Sequence, residues 1–302
     1  MSDMEGIITK GVGGQYEVKV TSACDLTGSS VICTARGGIR NRKMTPAIGD
    51  NVDISLTGDP DIPYIIEEIH KRKNILVRPP VANVSTLILT FACCNPIPDL
   101  KLLDKLLIIT AKLEIKPVIV FTKSDLDNDI CKELYDIYSS CGYDVYMSGK
   151  DNILTTDDLR PSLLPGIIGF AGPSGVGKST ALNNLLDDDI MITGQISERL
   201  RRGKHTTRHV QLFDFGDDYI VDTPGFTSLS LYELGIEYGD VILGYPEIRE
   251  LSSGCRFDDC RHINETDCSV RGNIDPGRYE RYKEFYQELY DLRNTYVGRI
   301  RK

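Results

Sequence analysis

The 302-residue chain has no run of eighteen apolar residues, so no segment reads as a membrane-spanning helix. Its opening, Met1-Ser2-Asp3-Met4-Glu5, lacks the basic and apolar character of a secretory leader. The expectation is a cytoplasmic protein with no membrane partner. Internal repeats and low-complexity tracts are absent, which sets aside repeat architectures and biased linkers. Positive charge is also short: 35 Lys and Arg face 44 Asp and Glu, a formal net charge of −9. That balance argues against tight, non-specific nucleic-acid binding, although steering depends on local patches and not on the total. What remains is an ordinary globular composition, 41% hydrophobic, at a length that predicts two or three domains.

The most informative segment is Gly172-Pro173-Ser174-Gly175-Val176-Gly177-Lys178-Ser179-Thr180. A glycine, four residues, then Gly-Lys-Ser is the Walker A spacing. Residues 166–171 read as a short buried strand and residues 179–186 as a helix start, which is the context the motif needs. Gly172, Gly175 and Gly177 let backbone N–H groups converge on phosphate oxygens without Cβ clashes. Ser174, Val176 and Thr180 complete the cradle, and the helix N-terminus adds favourable potential. Lys178 would reach the β- and γ-phosphates, and the Ser179 hydroxyl would bind Mg²⁺. A glycine-rich turn with a chance lysine is the competing reading, and the flanking strand and helix weigh against it.

Downstream, an apolar stretch at 218–221 ends in Asp222-Thr223-Pro224-Gly225. Asp222 suits a Walker B carboxylate holding Mg²⁺ through water, with the Gly225 N–H facing the γ-phosphate. Alone, the tetrapeptide also suits an ordinary turn; after a phosphate loop it gains weight. Between the two lies a polar, basic stretch, residues 198–208, with no apolar periodicity. Its adjacent Thr206 and Thr207 suggest a switch segment in which one hydroxyl, by preference that of Thr207, completes Mg²⁺ coordination. The position that holds a water-orienting Gln in Ras-like enzymes is Phe226 here, which cannot hydrogen-bond. His205 is the candidate replacement, since a neutral imidazole can orient water or accept its proton.

A guanine-reading motif precedes the phosphate loop instead of following it. Residues 116–121 form a strand pattern that ends at Thr122-Lys123-Ser124-Asp125. Asp125 would accept hydrogen bonds from guanine N1–H and N2–H₂, a donor pair that adenine lacks. Lys123 would lay its stem along the base plane. Thr122 stands where Asn is usual, so its brace to the phosphate loop is expected to be weaker. Ser148, after the next predicted strand, is a candidate for the remaining base contact.

A second cluster lies at 255–268, where Cys255, Cys260, His262 and Cys268 have C-x₄-C-x-H-x₅-C spacing. That spacing can close a tetrahedral Cys₃His shell around one structural Zn²⁺, which would contribute folding energy to a loop-rich segment. A disulfide or free thiols are the alternatives. The six cysteines outside this cluster fit a reducing compartment.

The motif order, base reader first and phosphate loop second, resembles the circularly permuted GTPases. With the cysteine-histidine segment, where Cys255, Phe257, Asp259, Cys260, His262, Glu265 and Cys268 fall on the family pattern, the chain resembles the bacterial ribosome small-subunit-dependent GTPase A family over essentially its whole length. The resemblance implies a multidomain fold: an N-terminal OB-fold β-barrel (1–70) that binds RNA, a central α/β P-loop GTPase domain in circularly permuted order (71–235), and a C-terminal helical zinc-binding domain (236–302). It also implies a His in the switch segment, GTP and GDP as ligands, and the small ribosomal subunit and its rRNA as partners that stimulate hydrolysis during late subunit maturation. The residues support parts of this independently. Five short alternating stretches within 6–69 suit a small Greek-key barrel, although periodicity alone equally allows an SH3-like barrel. Residues 71–80 read as a linker. Residues 84–91 read as a buried strand, and residues 99–113, with Leu102, Leu103, Leu106 and Leu107 at helical spacing, as a helix packed on it. Residues 278–296 read as a helix with Tyr282, Phe285, Tyr286, Leu289 and Tyr290 on one side. Basic stretches at 36–43, 199–208 and 299–302 are the candidate RNA contacts. A monomer is expected. The rival functions are a P-loop kinase acting on a small molecule and a nucleotide-gated RNA-binding module without turnover.

Overall fold

A computed structural model describes residues 4–37, 45–60, 62–178, 180–181, 210–222 and 230–300, with 222 and 296–300 described by backbone alone. Two compact units divide the chain, one of Met1–Thr86, Leu164–Phe170 and Leu185–Gly225, the other of Leu87–Leu163, Ala171–Asn184 and Phe226–Lys302.

In the first unit, β1 (Met4–Val12), β2 (Gln15–Val20), β3 (Ser30–Ala35), β4 (Asn51–Leu56) and β5 (Tyr64–Ile69) close a barrel in the order β1-β2-β3-β5-β4. These are the five strands expected from the alternating pattern. The order, with β3 and β5 parallel and every other pair antiparallel, is that of an OB-like barrel, which removes the SH3-like alternative. Its core is aliphatic: Ile8, Val18, Val20, Val31, Val52, Ile54 and Ile66 are all buried, with Cys33 among them. Gly6 is required where β1 bends over β2, because a Cβ there would lie 2.5 Å from Val18 Cγ1.

The stretch expected to be a linker is instead a fixed hairpin, β6 (Ile75–Val77) and β7 (Pro80–Ala82). Two asparagines close it. Asn74 donates to the Val84 carbonyl and accepts from the Val84 N–H, while Asn83 accepts from the Lys73 N–H and donates to the Gly49 carbonyl. Side-chain amides thereby take up backbone groups that a true linker would leave to water.

The α/β part carries a six-stranded sheet of order β10-β9-β8-β11-β13-β12, formed by β8 (Val84–Ala92), β9 (Lys116–Thr122), β10 (Asp144–Met147), β11 (Ile167–Ala171), β12 (Leu212–Phe215) and β13 (Asp218–Asp222). The β10–β9 and β11–β13 pairs are parallel and β12–β13 is antiparallel. Helix α1 (Leu100–Lys112) begins at Asp99, whose side chain accepts from the Leu102 N–H at 2.9 Å. It buries Leu103, Leu106 and Leu107, three of the four leucines anticipated. Helix α2 (Asn128–Ser140) is capped in the same way by Asp127. One feature was not anticipated: Cys93, just after β8, is joined to Cys131 on α2 by a disulfide. The cysteines at 255–268 remain unpaired.

The second unit ends in short helical turns at 238–254 and the long helix α3 (Pro276–Ile300). Tyr282, Phe285, Tyr286 and Leu289 are buried, whereas Tyr290 is 41% exposed, so the anticipated aromatic stripe stops one residue short. Arg278, on the first turn of α3, is fully buried. It pairs with Asp104 of α1 and with Glu247 at 2.6 Å each and donates to the Gly244 carbonyl at 3.0 Å. Its guanidinium lies 4.4 Å from the centre of the Tyr245 ring. Among the described residues no helix is long and apolar enough to cross a membrane.

Candidate functional site

Strand β11 is buried along its whole length and delivers the chain into the glycine loop. Gly172 follows it at φ +146°, with the Thr90 carbonyl oxygen only 2.0 Å from where a Cβ would stand. No other residue fits there. Gly175 and Gly177 also have positive φ, +77° and +94°. Helical structure starts at Lys178, and the Ala181 N–H bonds the Gly177 carbonyl at 2.9 Å. Lys178 Nζ folds onto the carbonyls of Gly172 and Pro173, at 2.8 and 2.5 Å. Val176 is buried, and Ser174 and Thr180 are exposed. Strand, glycine loop and helix start occur in the order the spacing predicts.

The base motif meets this loop directly. Thr122 donates its hydroxyl hydrogen to the Val176 carbonyl. Lys123, at φ +60°, sends Nζ to the Gly175 carbonyl at 3.0 Å and to the Asn95 carbonyl. The brace expected to suffer from the missing Asn is therefore made by a threonine hydroxyl. Asp125 is exposed, and its Oδ1 accepts from the Lys150 N–H at 3.1 Å. Ser148 anchors the facing loop by backbone, donating to Phe121 at 2.8 Å and accepting from the Ser124 N–H at 3.1 Å. Gly149 lets the loops close, since a Cβ would sit 2.5 Å from Ser124 Oγ and 2.9 Å from Asp125 Oδ1. Thr122, Lys123, Asp125 and Ser148 are thus gathered beside Gly172, Gly175, Val176, Gly177 and Lys178.

Gly149 and Lys150 belong to the same stretch after the predicted strand from which Ser148 is singled out; nothing in the sequence marks Asn95. Asp222 ends β13, where its backbone stands in register with Phe170. Ser179, His205, Thr206, Thr207 and Gly225 lie outside the described residues, as do 38–43 and 199–208 of the basic stretches. Arg36, at the edge of the first, pairs with Glu67.

The second cluster is assembled as its spacing predicts. Ligand atoms of Cys255, Cys260, His262 and Cys268 all lie within 4.8 Å of one another. His262 Nδ1 stands 3.5 Å from both Cys255 Sγ and Cys268 Sγ, and those sulfurs are 4.0 Å apart. A tetrahedral zinc would set sulfur–nitrogen edges of roughly 3.5 Å and sulfur–sulfur edges of roughly 3.8 Å, so the donor set fits that ion. Burial lowers the His262 imidazole below its ordinary value, which favours the neutral form a metal requires. Burial alone would raise Glu265, but the N–H groups of Arg261, Ile263, Asn264 and Glu265 itself together bring it below the usual carboxylate range. That carboxylate holds the loop on which His262 sits at φ +61°.

Comparison with known proteins agrees with this geometry. A family model described as RsgA GTPase matches residues 69–232, and one described as RsgA N-terminal domain matches residues 5–61. A "Small ribosomal subunit biogenesis GTPase RsgA" of Ruminiclostridium cellulolyticum is 40% identical over 95% of this chain and 94% of its own. The protein of the same name from Clostridium botulinum (strain Langeland) is 36% identical over 96% and 99%. Among solved structures, YloQ, described as a circularly permuted GTPase, superposes with a TM-score of 0.77 at 32% identity, covering 96% of each chain.

Proposed function

The chain belongs to the RsgA GTPase family, and from that premise we propose that it hydrolyses GTP to GDP and phosphate in the biogenesis of the small ribosomal subunit. The observation that carries this reading is the pair of bonds from Thr122 and Lys123 to Val176 and Gly175. They make the base reader and the phosphate loop one hydrogen-bonded body even though the motifs run in rotated order.

In this reading the amides from Gly172 to Thr180 hold the phosphates, and Lys178 leaves its own loop carbonyls to meet the β- and γ-phosphates. Asp125 selects guanine through both oxygens, oriented by the Lys150 N–H, and Lys123 lies along the base. Ser148 shapes the loop that faces the base. Magnesium, held by Ser179, Thr207 and Asp222, would supply charge neutralisation on the β- and γ-oxygens. Gly225 offers its N–H to the γ-phosphate, and His205 orients the attacking water. Because no Gln follows Gly225, turnover is slow until the small subunit and its rRNA stimulate it. Zinc held by Cys255, Cys260, His262 and Cys268 is structural: it stabilises a short loop-rich segment and takes no part in the chemistry. The protein acts in the cytoplasm as a monomer, with domain limits at 1–70, 71–235 and 236–302.

Turnover of GTP and of ATP, each with and without purified small subunits, tests the whole reading. GTP hydrolysis that rises with subunits is the expected result. Phosphorylation of an added metabolite would replace it with a kinase, and GTP binding without turnover would leave a nucleotide-gated binding module.

A further inference from the structure

Beyond the four donors, we propose that Ser252 is the positioning residue that selects which imidazole nitrogen of His262 meets the metal. This inference rests on the zinc reading of the cluster. Ser252 follows the short helix Pro246–Leu251, and its hydroxyl faces two groups. One is the Ile248 carbonyl at 2.6 Å and the other is His262 Nε2 at 3.1 Å. A hydroxyl owns one hydrogen and can give it only once. The shorter contact is to a carbonyl, which can only accept, so the hydrogen lies there. Ser252 Oγ must then accept from His262, and Nε2 carries the ring proton. The Nδ1 lone pair is left bare, 3.5 Å from Cys255 Sγ and Cys268 Sγ, where the ion would sit.

The opposite tautomer is penalised twice. It would put a hydrogen on Nδ1 where the metal needs a lone pair, and it would require Ser252 to abandon Ile248. Other groups fix the backbone around the ring but not its tautomer. Tyr279 donates to the His262 carbonyl at 2.8 Å, and Glu265 gathers the flanking N–H groups. Ser252 is therefore the one side chain among the described residues that addresses Nε2. Metal-bound imidazoles commonly need such an outer partner, and its loss typically weakens metal binding about 10- to 100-fold. The same serine ties the cluster to the helix that carries Glu247, the partner of buried Arg278.

The test uses the full chain purified with its metal. Metal analysis of the wild type comes first, and less than one zinc per chain would sink the zinc reading together with this inference. With zinc present, competition against a chromogenic chelator gives the affinity of Ser252→Ala and Ser252→Thr. Ser252→Ala should hold zinc about 10- to 100-fold more weakly while its GDP affinity stays unchanged, and Ser252→Thr, which keeps the hydroxyl, should restore most of the loss. Nitrogen-15 NMR of the wild type should find the His262 proton on Nε2 and slow to exchange, and Ser252→Ala should release it to fast exchange. Zinc held equally well by Ser252→Ala, equal weakening by the alanine and threonine variants, or ligation through Nε2 would each overturn the assignment while leaving the zinc site itself intact.

Discussion

Replacing Thr122 with Val isolates one hydrogen of the nucleotide pocket. Valine keeps the branched shape of threonine and removes the hydroxyl. The acceptor it abandons, the Val176 carbonyl, belongs to a residue only 1% exposed, so water cannot readily take the vacant place. A buried acceptor left unpaired costs about 1–3 kcal/mol. The lower part of that range applies, because Lys123 still holds the neighbouring Gly175 carbonyl at 3.0 Å and the loop is not released. Part of the cost falls on the free protein and part on the complex. The part that matters for affinity is the loss of preorganisation of the phosphate cradle. A cost of roughly 1–1.4 kcal/mol corresponds to about five- to tenfold weaker GDP binding.

Titration of a fluorescent GDP analogue reads this directly, with dissociation kinetics to show that the loss lies in the off-rate. Thr122→Ser keeps the hydroxyl and should stay within about threefold of wild type by the same free-energy scale. Equal affinity for the wild type and Thr122→Val would refute the claim that this bond joins the two motifs. Equal weakening by Ser and Val would point to packing of the methyl group instead.

Four further outcomes are expected. Gly149→Ala drives a methyl group into Ser124 and Asp125, so guanine discrimination measured as the GDP-to-ADP affinity ratio should fall at least about tenfold, and an unchanged ratio would remove Gly149 from the base pocket. His205→Ala should abolish subunit-stimulated hydrolysis while GDP binding persists; stimulated turnover at the wild-type rate excludes the catalytic role. Arg278→Ala strips buried Glu247 of its partner and leaves Asp104 with Arg281 alone, so it should destabilise the second unit by about 3–5 kcal/mol, on the order of 10 °C in melting temperature, and a loss below about 1 kcal/mol in urea unfolding would contradict the burial. A strong chelator should withdraw one zinc per chain and open residues 255–268 to protease, and unchanged cleavage after metal loss would show that the segment folds without it.

The parts of the molecule legible in sequence are those whose physics is local. The barrel strands show as alternation because one face of each is buried. The glycine loop is legible because Gly172, Gly175 and Gly177 must adopt backbone angles that other residues resist. The Cys255, Cys260, His262 and Cys268 cluster is legible because the separations of its members along the chain suffice to close a four-donor shell. Residues 71–80 misled because Asn74 and Asn83, ordinary turn formers, act here across the hairpin and against Gly49. Cys93 and Cys131 lie 38 residues apart, with nothing around either to announce a partner.

Asp104 is the clearest case of a residue whose meaning is non-local. It interrupts the apolar stripe of α1 between Leu103 and Leu106, and by composition it reads as a polar slip on a buried face. Its side chain is in fact fully buried, paired with Arg278 at 2.6 Å and Arg281 at 2.5 Å and accepting from the hydroxyls of Tyr138 and Tyr245. Both arginines come from α3, far along the chain. With Glu247 the group holds two carboxylates and two guanidiniums, so it is neutral as a whole although every member is charged. Neutrality is what makes the burial tolerable: desolvating the four charges is costly, and only complete pairing offsets it. Removing any one member therefore leaves a net charge in an interior lined by Tyr138, Tyr143 and Tyr245. By that logic α3 cannot leave α1 gradually. It stays fully docked or exposes the entire cluster, which makes the cluster a latch joining the helix after the zinc segment to the helix that follows β8.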